Sequence, residues 1–206
     1  MTLNIKDKPK DGFERVVYAE EDKFNFYSVI AIHNTKRGPA LGGCRYFNYQ
    51  DFNKQEEDVL KLAEAMTYKN SLAELPFGGG KATIHSKINK KDAYSLFGEV
   101  LNKLNGTYIT AGDMGTVDED LRGFREYSDH VCNPIGSDSG LGTALGVYYS
   151  MLGCVEFKFG QDSLVNKNIF IKGYGKTGSR IASLCKKDGA NIEISDLEHK
   201  KDLIER

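Results

Sequence analysis

The sequence contains few residues of the kinds that hold metal ions or build disulfide frameworks. It has four histidines, and none lies at the spacing of paired metal ligands, so we expect no metal site. Its four cysteines are scattered and include no C-x-x-C pair. Isolated thiols of this kind are typical of proteins in a reducing cytoplasm, which is the location that we expect.

Long apolar runs and an excess of one charge are also lacking. The formal net charge is −1, which gives no reason to expect a nucleic acid or an anionic membrane as a partner. No run approaches the roughly 18 apolar residues of a membrane-spanning helix. Residues 1–16 are charged and contain no apolar stretch, so they do not resemble a secretory signal.

Glycine is the residue in excess. The chain has 22 glycines among 206 residues, above the usual fraction of about 7%. They cluster at 38–43, 78–80, 136–146 and 173–178. Such clusters indicate backbone that approaches another group closely or adopts a positive φ angle.

The hydrophobic pattern predicts an α/β protein. Apolar segments that alternate or run on predict strands at 14–19, 25–33, 40–47, 81–85, 108–110, 168–172 and 191–195. Apolar residues at helical spacing predict helices over 53–73, 93–104, 117–128, 140–159 and 175–188, and from 198 onward. These elements divide into a mixed α/β domain at 1–139 and a second segment at 140–206.

The second segment has the pattern of a linker helix followed by the first β-α-β unit of a Rossmann dinucleotide-binding domain. Such a domain normally has about six strands, and two parallel strands alone leave apolar edges exposed. We therefore expect an incomplete Rossmann domain in a chain that is truncated at its C-terminal end.

A G-x-G-x-x-G segment separates the strand predicted at 168–172 from the helix that follows. Its residues are Gly173, Tyr174, Gly175, Lys176, Thr177 and Gly178. The glycines permit a tight turn beside a pyrophosphate, whose charge the helix N-terminus stabilises. Asp196 ends the next strand, where an acidic side chain accepts from ribose hydroxyls and repels a 2′-phosphate. This context favours NAD as cofactor, and a glycine-rich turn without a nucleotide is the alternative.

Three charged residues have both a structural and a chemical interpretation. Lys69 lies at the edge of an apolar helix face, either as a solvated lysine or as a semi-buried cation that binds a carboxylate. Lys81 follows three glycines that leave room for a ligand, and burial near a second lysine should lower its pKa and suit it to act as a general base. A solvated lysine at a loop end is the alternative. Asp113 follows a strand, and it either caps the next helix or faces a cleft.

Six segments together resemble the Glu/Leu/Phe/Val dehydrogenase family, in its shorter leucine, phenylalanine and valine branch. In order they are G-P-A-L-G-G-C-R at 38–45, M-T-Y-K-N at 66–70, F-G-G-G-K at 77–81, Y-I-T-A-G-D-M-G-T at 108–116, G-T-A-L-G-V-Y at 142–148 and G-Y-G-K-T-G at 173–178. Six motifs in one order and register make the resemblance specific.

The resemblance implies a substrate and dimerisation domain at 1–139 and reversible, NAD-dependent oxidative deamination of an L-amino acid. The products are the 2-oxo acid, NADH and ammonium. Leucine is the first substrate that we expect, with phenylalanine or valine next. The resemblance also implies a homo-oligomer formed through the N-terminal domain.

The resemblance assigns roles to individual residues as well. It implies that Lys69 binds the substrate carboxylate, with Gly42 and Gly43 packed beside it. It implies that Lys81 is the catalytic lysine that activates water, and that Asp113 exchanges protons at the amino group. Thr143 matches a threonine near the nicotinamide amide.

A second function remains open. The chain is alternatively a catalytically inactive substrate-domain fragment that serves as an amino-acid-binding or subunit-interaction module. Two Rossmann strands are not expected to hold NAD tightly. A stable chain without dehydrogenase activity would therefore favour this alternative.

Overall fold

The structure of the protein, a computed structural model, describes residues 3–132 and 139–196. The chain forms two compact units, Met1–Asn133 and Pro134–Arg206. The domain boundary predicted after residue 139 lies a few residues beyond this division. Within the described ranges, no helix combines the length and the apolar character needed to cross a membrane.

The first unit alternates strands and helices. Its strands are β1 (Asn4–Asp7), β2 (Arg15–Glu21), β3 (Phe26–Asn34), β4 (Ala40–Phe47), β5 (Gly78–His85) and β6 (Tyr108–Gly112). Its helices are α1 (Phe52–Leu72), α2 (Lys90–Lys103) and α3 (Asp118–Arg125). Helix α1 begins where Asp51 accepts a 2.9 Å hydrogen bond from the Lys54 amide, which satisfies one of the amide groups left free by the first turn.

These strands form one sheet in the order β1-β2-β3-β5-β4-β6. Strands β1, β2, β3 and β5 pair antiparallel in succession, whereas β4 is parallel to both β5 and β6. Strand β5 therefore lies between β3 and β4, although it follows both of them in the chain. Strand β1 was not predicted from the sequence, and α3 is shorter than the helix predicted at 117–128.

Helices cover both faces of the sheet. Helix α1 packs on β3 and β5, where Val59 and Ala63 contact apolar side chains of β2 and β3. Helices α2 and α3 lie on the other face, over the larger core that includes Phe97, Leu101 and Tyr108. Because both faces are covered, β5 is buried along its whole length.

The glycine triplet before Lys81 has a different role from the one expected. The sequence suggested that Gly78, Gly79 and Gly80 leave room for a ligand, but all three lie inside β5 and protein atoms fill the space beside them. A Cβ at Gly79 would overlap the backbone nitrogen of Thr67, and one at Gly80 would lie 2.9 Å from a ring carbon of Tyr108. The glycines therefore allow α1 and the neighbouring strands to approach β5 closely.

Gly42 has an equally tight environment in β4. A Cβ there would overlap the carbonyl oxygen of Gly80 in the adjacent strand. The carbonyl oxygen of Gly42 accepts a 2.7 Å hydrogen bond from the buried Tyr108 hydroxyl. The β4–β5 pairing is correspondingly interrupted between Leu41 and Cys44.

The second unit contains a β-α-β arrangement. Its described elements are α4 (Ser139–Phe159), β7 (Asn168–Lys172), α5 (Gly178–Lys187) and β8 (Asn191–Ser195). Strands β7 and β8 pair in parallel, and Ile171, Ala182 and Cys185 are buried among these elements. Both strands have the predicted bounds, whereas the helix predicted from residue 198 lies outside the described residues.

The two-stranded sheet is open on one side within residues 139–196. Its isoleucines are partly or fully buried, but Phe170 points the other way and is 60% exposed. Parallel strands are normally covered on both faces. The chain thus has a mixed α/β first unit followed by an incomplete Rossmann arrangement, which confirms the predicted fold class.

Gly42→Ala should destabilise the first unit by about 3 kcal/mol. The added methyl group overlaps the Gly80 carbonyl, and neither strand can shift without losing hydrogen bonds at the centre of the sheet. Urea unfolding followed by circular dichroism measures the loss.

Gly112→Ala is the matched control in the next strand. Its new Cβ would meet Leu121 at 3.6 Å, which is an ordinary van der Waals contact, so we expect little change in stability. Equal losses in the two variants would contradict the conclusion that crowding between β4 and β5 excludes a side chain at Gly42.

Candidate active site

Lys81 projects from the middle of β5 toward α1. Its antiparallel partner Ala31 belongs to the small core beneath α1, and paired residues of adjacent strands share a face. Lys81 is only 5% exposed, and its ammonium lies 3.2 Å from the Oδ2 atom of Asp113. A carboxylate from another part of the sheet therefore holds this cation inside the unit.

The ion pair crosses a strand. Lys81 lies in β5 and Asp113 follows β6, and β4 lies between these two strands. Neighbouring strands are about 4.8 Å apart, so the pair spans two strand spacings. Gly43 is the β4 residue at this level, since it pairs with Ala111 and the Cys44–Ala82 register sets it opposite Lys81.

The missing side chain at Gly43 keeps the crossing open. A Cβ at Gly43 would lie only 2.8 Å from the Cβ of Asp113. Gly42 and Gly43 thus have packing roles within the sheet, and their predicted contact with substrate remains a prediction.

Arg45 is the second cation that binds Asp113. Its Nε atom donates to Oδ2 of Asp113 at 2.8 Å, and its Nη1 atom donates to both oxygens of Asp58 at 3.1 and 2.8 Å. Asp58 belongs to α1 and also accepts a 2.7 Å hydrogen bond from the Tyr49 hydroxyl. The guanidinium therefore links α1 to the segment that follows β6.

The electrostatics of the pair favour proton transfer. Burial lowers the pKa of Lys81, and the positive charge of Arg45 lowers it further, against the opposing effect of Asp113. Burial by itself raises the pKa of Asp113, but the charges of Lys81 and Arg45 outweigh it, so that this pKa lies below its usual value. A lysine that releases its proton more easily and a carboxylate that stays ionised suit acid–base chemistry.

The direction of the Lys81 pKa shift and its larger cause, burial, agree with the sequence-based expectation, but the second cation differs. The sequence suggested that this second cation is a lysine. In the structure, it is the Arg45 guanidinium.

Lys69 lies near the end of α1 and is exposed. Asp58, Leu62 and Lys69 are separated by four and seven residues, which places them on one flank of the helix. That flank faces β4, because Asp58 contacts Arg45. Of the two interpretations that the sequence left open for Lys69, the structure shows the solvated lysine, and its position on this flank is compatible with binding an anion.

Asp113 does not cap α3. The amide of Val117, at the start of that helix, donates instead to the carboxylate of Asp120 at 2.8 Å. The backbone of Asp113 is fixed by Thr116, whose hydroxyl accepts from the Asp113 amide at 2.8 Å and donates to the Cys44 carbonyl at 2.7 Å. The Asp113 side chain therefore binds Lys81 and Arg45, and the alternative that it caps the next helix is excluded.

In the second unit, the three glycines of the turn between β7 and α5 have three different environments. Gly173 has a φ angle of +101°, which glycine adopts without strain. A Cβ at Gly175 would meet no atom within 4 Å, whereas a Cβ at Gly178 would overlap the carbonyl oxygen of Gly173. A tight turn, an open approach and a close helix contact are the three properties that the dinucleotide motif requires of its glycines.

Asp196 lies beside this turn. Its Oδ2 atom accepts a 2.7 Å hydrogen bond from the Tyr174 amide, which places the carboxylate where the ends of β7 and β8 meet. Lys176 and Thr177 immediately precede α5, and Thr143 is exposed near the beginning of α4. The predicted cofactor roles of these residues remain predictions.

The described part of the chain, 3–132 and 139–196, contains no group of three histidine, cysteine, aspartate or glutamate side chains arranged to hold a metal ion.

A family model decides the relationship of this chain to known proteins. Residues 14–129, more than half of the chain, match the Glu/Leu/Phe/Val dehydrogenase dimerisation domain. The chain belongs to the Glu/Leu/Phe/Val dehydrogenase family. The matched range includes both β5 with Lys81 and the segment with Asp113.

Individual relatives within this dehydrogenase family extend the similarity past the matched domain. The chain is 38% identical to a phenylalanine dehydrogenase of Thermoactinomyces intermedius over 91% of its own length and 53% of that protein. It is 37% identical to the leucine dehydrogenase of Bacillus subtilis over 94% of its length and 55% of that protein. The chain thus spans about half the length of these curated relatives.

A solved structure is also similar. The L-tryptophan dehydrogenase of Nostoc punctiforme superposes with a TM-score of 0.67 at 27% sequence identity. The match covers 94% of this chain and 56% of the tryptophan dehydrogenase.

Arg45, Asp58 and Tyr49 belong to the site but were not predicted. Arg45 ends the segment G-P-A-L-G-G-C-R, two residues after Gly43 on the same face of β4, so strand periodicity alone places it beside the glycine. Asp58 and Tyr49 carry no comparable signal, because their roles depend on where α1 lies over the sheet.

Asp113→Asn should destabilise the first unit by about 2 kcal/mol, since Lys81 and Arg45 then face each other without a shared carboxylate. Lys81→Met should have a smaller effect, because it removes a buried ammonium and leaves Asp113 paired with Arg45. Thermal and urea unfolding of both variants measure the difference.

The destabilisation caused by Asp113→Asn should become smaller as the pH rises. A lysine with a lowered pKa in the folded protein penalises folding while it is charged. The penalty begins to fall as the pH rises through that pKa and is gone above the unfolded pKa of about 10.4. Equal destabilisation by the two variants at every pH would contradict the assigned electrostatics.

Proposed function

We propose that this chain supplies the amino-acid-binding and proton-transferring part of an NAD-dependent amino-acid dehydrogenase. The reaction converts an L-amino acid, NAD⁺ and water into the 2-oxo acid, NADH, ammonium and a proton. The observation that carries the proposal is the buried ion pair between Lys81 and Asp113. It supplies a base and an acid at one place, inside a unit whose relatives are named as leucine and phenylalanine dehydrogenases.

Each charged residue has a separate task in this reaction. The substrate ammonium must lose a proton before Cα releases hydride, and the ionised, partly exposed carboxylate of Asp113 accepts it. When bound, NAD⁺ supplies the hydride acceptor. Water then attacks the iminium carbon of the oxidised substrate and passes a proton to Lys81 in its neutral form. Lys69, on the flank of α1 that faces β4, is the cation for the substrate carboxylate.

The second unit fits the cofactor at the turn between β7 and α5. The open space at Gly175 allows a pyrophosphate to approach the backbone, and the N-terminus of α5 stabilises its charge. Asp196 accepts from the ribose hydroxyls and disfavours a 2′-phosphate. Thr143 lies near the nicotinamide amide when the cofactor is bound.

The substrate is a branched-chain or aromatic L-amino acid, with leucine favoured. Relatives of both kinds are similar to the chain to nearly the same degree, so identity alone does not separate them. The family model describes its match as a dimerisation domain, which supports a homo-oligomer formed through the first unit.

An inactive amino-acid-binding or subunit-interaction module is the second candidate. The open face at Phe170 favours it, because a two-stranded parallel sheet provides little support for a bound dinucleotide. The two candidates share the first unit and differ in turnover.

A chimera separates them. The chain is joined to the remaining half of the Bacillus subtilis leucine dehydrogenase, and NADH formation is followed with leucine, valine, isoleucine and phenylalanine at alkaline pH. We expect turnover, and we expect Lys81→Ala to abolish it with NAD affinity almost unchanged. Lys69→Ala should mainly raise the amino-acid KM, because a carboxylate anchor is lost.

Lys61→Ala is the matched control, since Lys61 lies on the same helix as Lys69 but is 73% exposed and paired with Glu57. Leucine binding to a folded chimera without any turnover would favour the inactive module. Full activity in both Lys81→Ala and Lys69→Ala would make the residue assignment wrong.

Asp196→Ala in the same chimera should reduce the preference for NAD over NADP by about tenfold, because a charge that repels the 2′-phosphate is removed. Values of kcat/KM for the two cofactors measure the preference. An unchanged ratio would contradict the assigned role of Asp196 in cofactor selection.

A further inference from the structure

Four alternating charges connect three parts of the first unit. They are Asp58 on α1, Arg45 on β4, Asp113 after β6 and Lys81 on β5, and we call them the four-charge chain. All four side chains are less than one-third exposed, at 29, 18, 23 and 6% respectively. Two of these residues, Lys81 and Asp113, already have chemical roles in the proposed function, whereas Arg45 and Asp58 do not.

Arg45 and Lys81 bind the same oxygen of Asp113. Both the 2.8 Å bond from the guanidinium and the 3.2 Å contact from the ammonium end at Oδ2. The other oxygen, Oδ1, accepts no hydrogen bond from residues 3–132 or 139–196. One oxygen of the carboxylate is thus held by the protein, and the other is left for a ligand.

Asp58 fixes the orientation of Arg45. Both of its oxygens accept from Nη1, and the Tyr49 hydroxyl holds one of them at 2.7 Å. A guanidinium presents its donors in a rigid planar fork, so fixing Nη1 also fixes the direction of Nε. A lysine at this position would carry the charge but could not bind both carboxylates in this geometry.

Arg45 also limits how tightly Asp113 holds Lys81. The two cationic nitrogens share one oxygen, so they are at most about 6 Å apart, within the range where like charges weaken each other. Without Arg45, the carboxylate would be free to turn both oxygens toward Lys81. That arrangement would keep Lys81 charged and would remove the acceptor for the substrate amine.

We propose that Arg45 is a positioning residue that holds Asp113 by Oδ2, so that Oδ1 faces the substrate amine and Lys81 remains free to exchange a proton. Asp58 and Tyr49 anchor Arg45 in this position. The proposal rests on the proposed function for the identity of the substrate group, but the coupling between Arg45 and Lys81 is a property of the folded chain alone.

The groups that face Lys81 are few enough to interpret a titration. Strand β4 contributes Arg45. The neighbouring thiol of Cys44 lies on the other face of the sheet, and burial raises its pKa, so it is neutral. The segment after β6 contributes Asp113, and α1 contributes Asp58, which acts through Arg45, whereas Lys69 on the same helix is exposed to solvent. From β3 the paired residue Ala31 is apolar.

Competitive acylation of the full chain with acetic anhydride tests the coupling directly. Only the neutral amine reacts, so mass spectrometry of the peptide that contains Lys81, over a pH series, gives the pH midpoint of this lysine. In Arg45→Gln we expect the midpoint to rise by about one pH unit, which is a roughly tenfold lower reactivity at a fixed pH below the midpoint. Arg45→Lys, which keeps the charge, should stay closer to the original midpoint.

Arg15→Gln is the matched control, since Arg15 also lies on a strand of this sheet and binds both oxygens of an aspartate, Asp7, away from Lys81. In Arg15→Gln the pH midpoint for acylation of Lys81 should not change. Asp58→Asn is the second variant, because it keeps both cations but releases Arg45, and it should shift the midpoint in the same direction by less. An unchanged midpoint in folded Arg45→Gln and Asp58→Asn, or an equal shift in Arg15→Gln, overturns the proposal.

Kinetics of the leucine dehydrogenase chimera separate this proposal from the proposed function. Arg45→Gln should lower kcat, leave KM nearly unchanged and move the acid limb of the pH profile upward, with partial rescue by Arg45→Lys. If the chimera is inactive but acylation shows the shift, the proposed function fails and the coupling stands. If the chimera is active and neither the midpoint nor the pH profile moves, Arg45 has no positioning role and the proposed function stands.

Discussion

The first unit depends on one constraint, which is that an ammonium group is buried in the middle of the most enclosed strand. A charge removed from water in this way needs a counter-charge nearby. For Lys81 the carboxylate comes from beyond the neighbouring strand, so β4 must lack a side chain at Gly43 where the pair crosses. Arg45 binds the same oxygen of this carboxylate as Lys81 does, and α1 must lie where Asp58 can hold Arg45.

Missing side chains define the geometry of both units. In the first, Gly42, Gly79 and Gly80 allow backbones and a helix to approach until no Cβ fits. In the second unit, the three glycines of the turn after β7 have different roles: one allows a tight turn, one leaves open space beside the backbone, and one allows close contact with the helix. The glycines of the first unit allow its strands and helix to pack closely and leave no space beside them. Gly175 in the second unit leaves space that a ligand can occupy.

The fold and the central pair follow from the sequence more readily than the rest of the site. Strand and helix periodicity located β7, β8 and most of the first unit, and the motifs at 77–81 and 108–116 pointed to Lys81 and Asp113. The order of the strands was not predictable, because it depends on which edges meet after α1 has folded. For that reason the sequence placed Gly78–Gly80 outside the strand with room for a ligand, left the exposure of Lys69 undecided, and missed Asp58 and Tyr49 altogether.

The position of β5 also has a consequence for the order of events during folding. Strands β3 and β4 are consecutive in the chain but are not neighbours, since β5 separates them and pairs with both. A nascent chain that has emerged only as far as α1 therefore holds two strands with no partner between them. The sheet becomes continuous between β3 and β4 when Gly78–His85 pairs with both of them, which is a long-range step. Lys81 meets its counter-ion only when β6 has also paired with β4, because Asp113 follows β6. The reactive centre is therefore complete only when both β5 and β6 have joined β4 in the sheet.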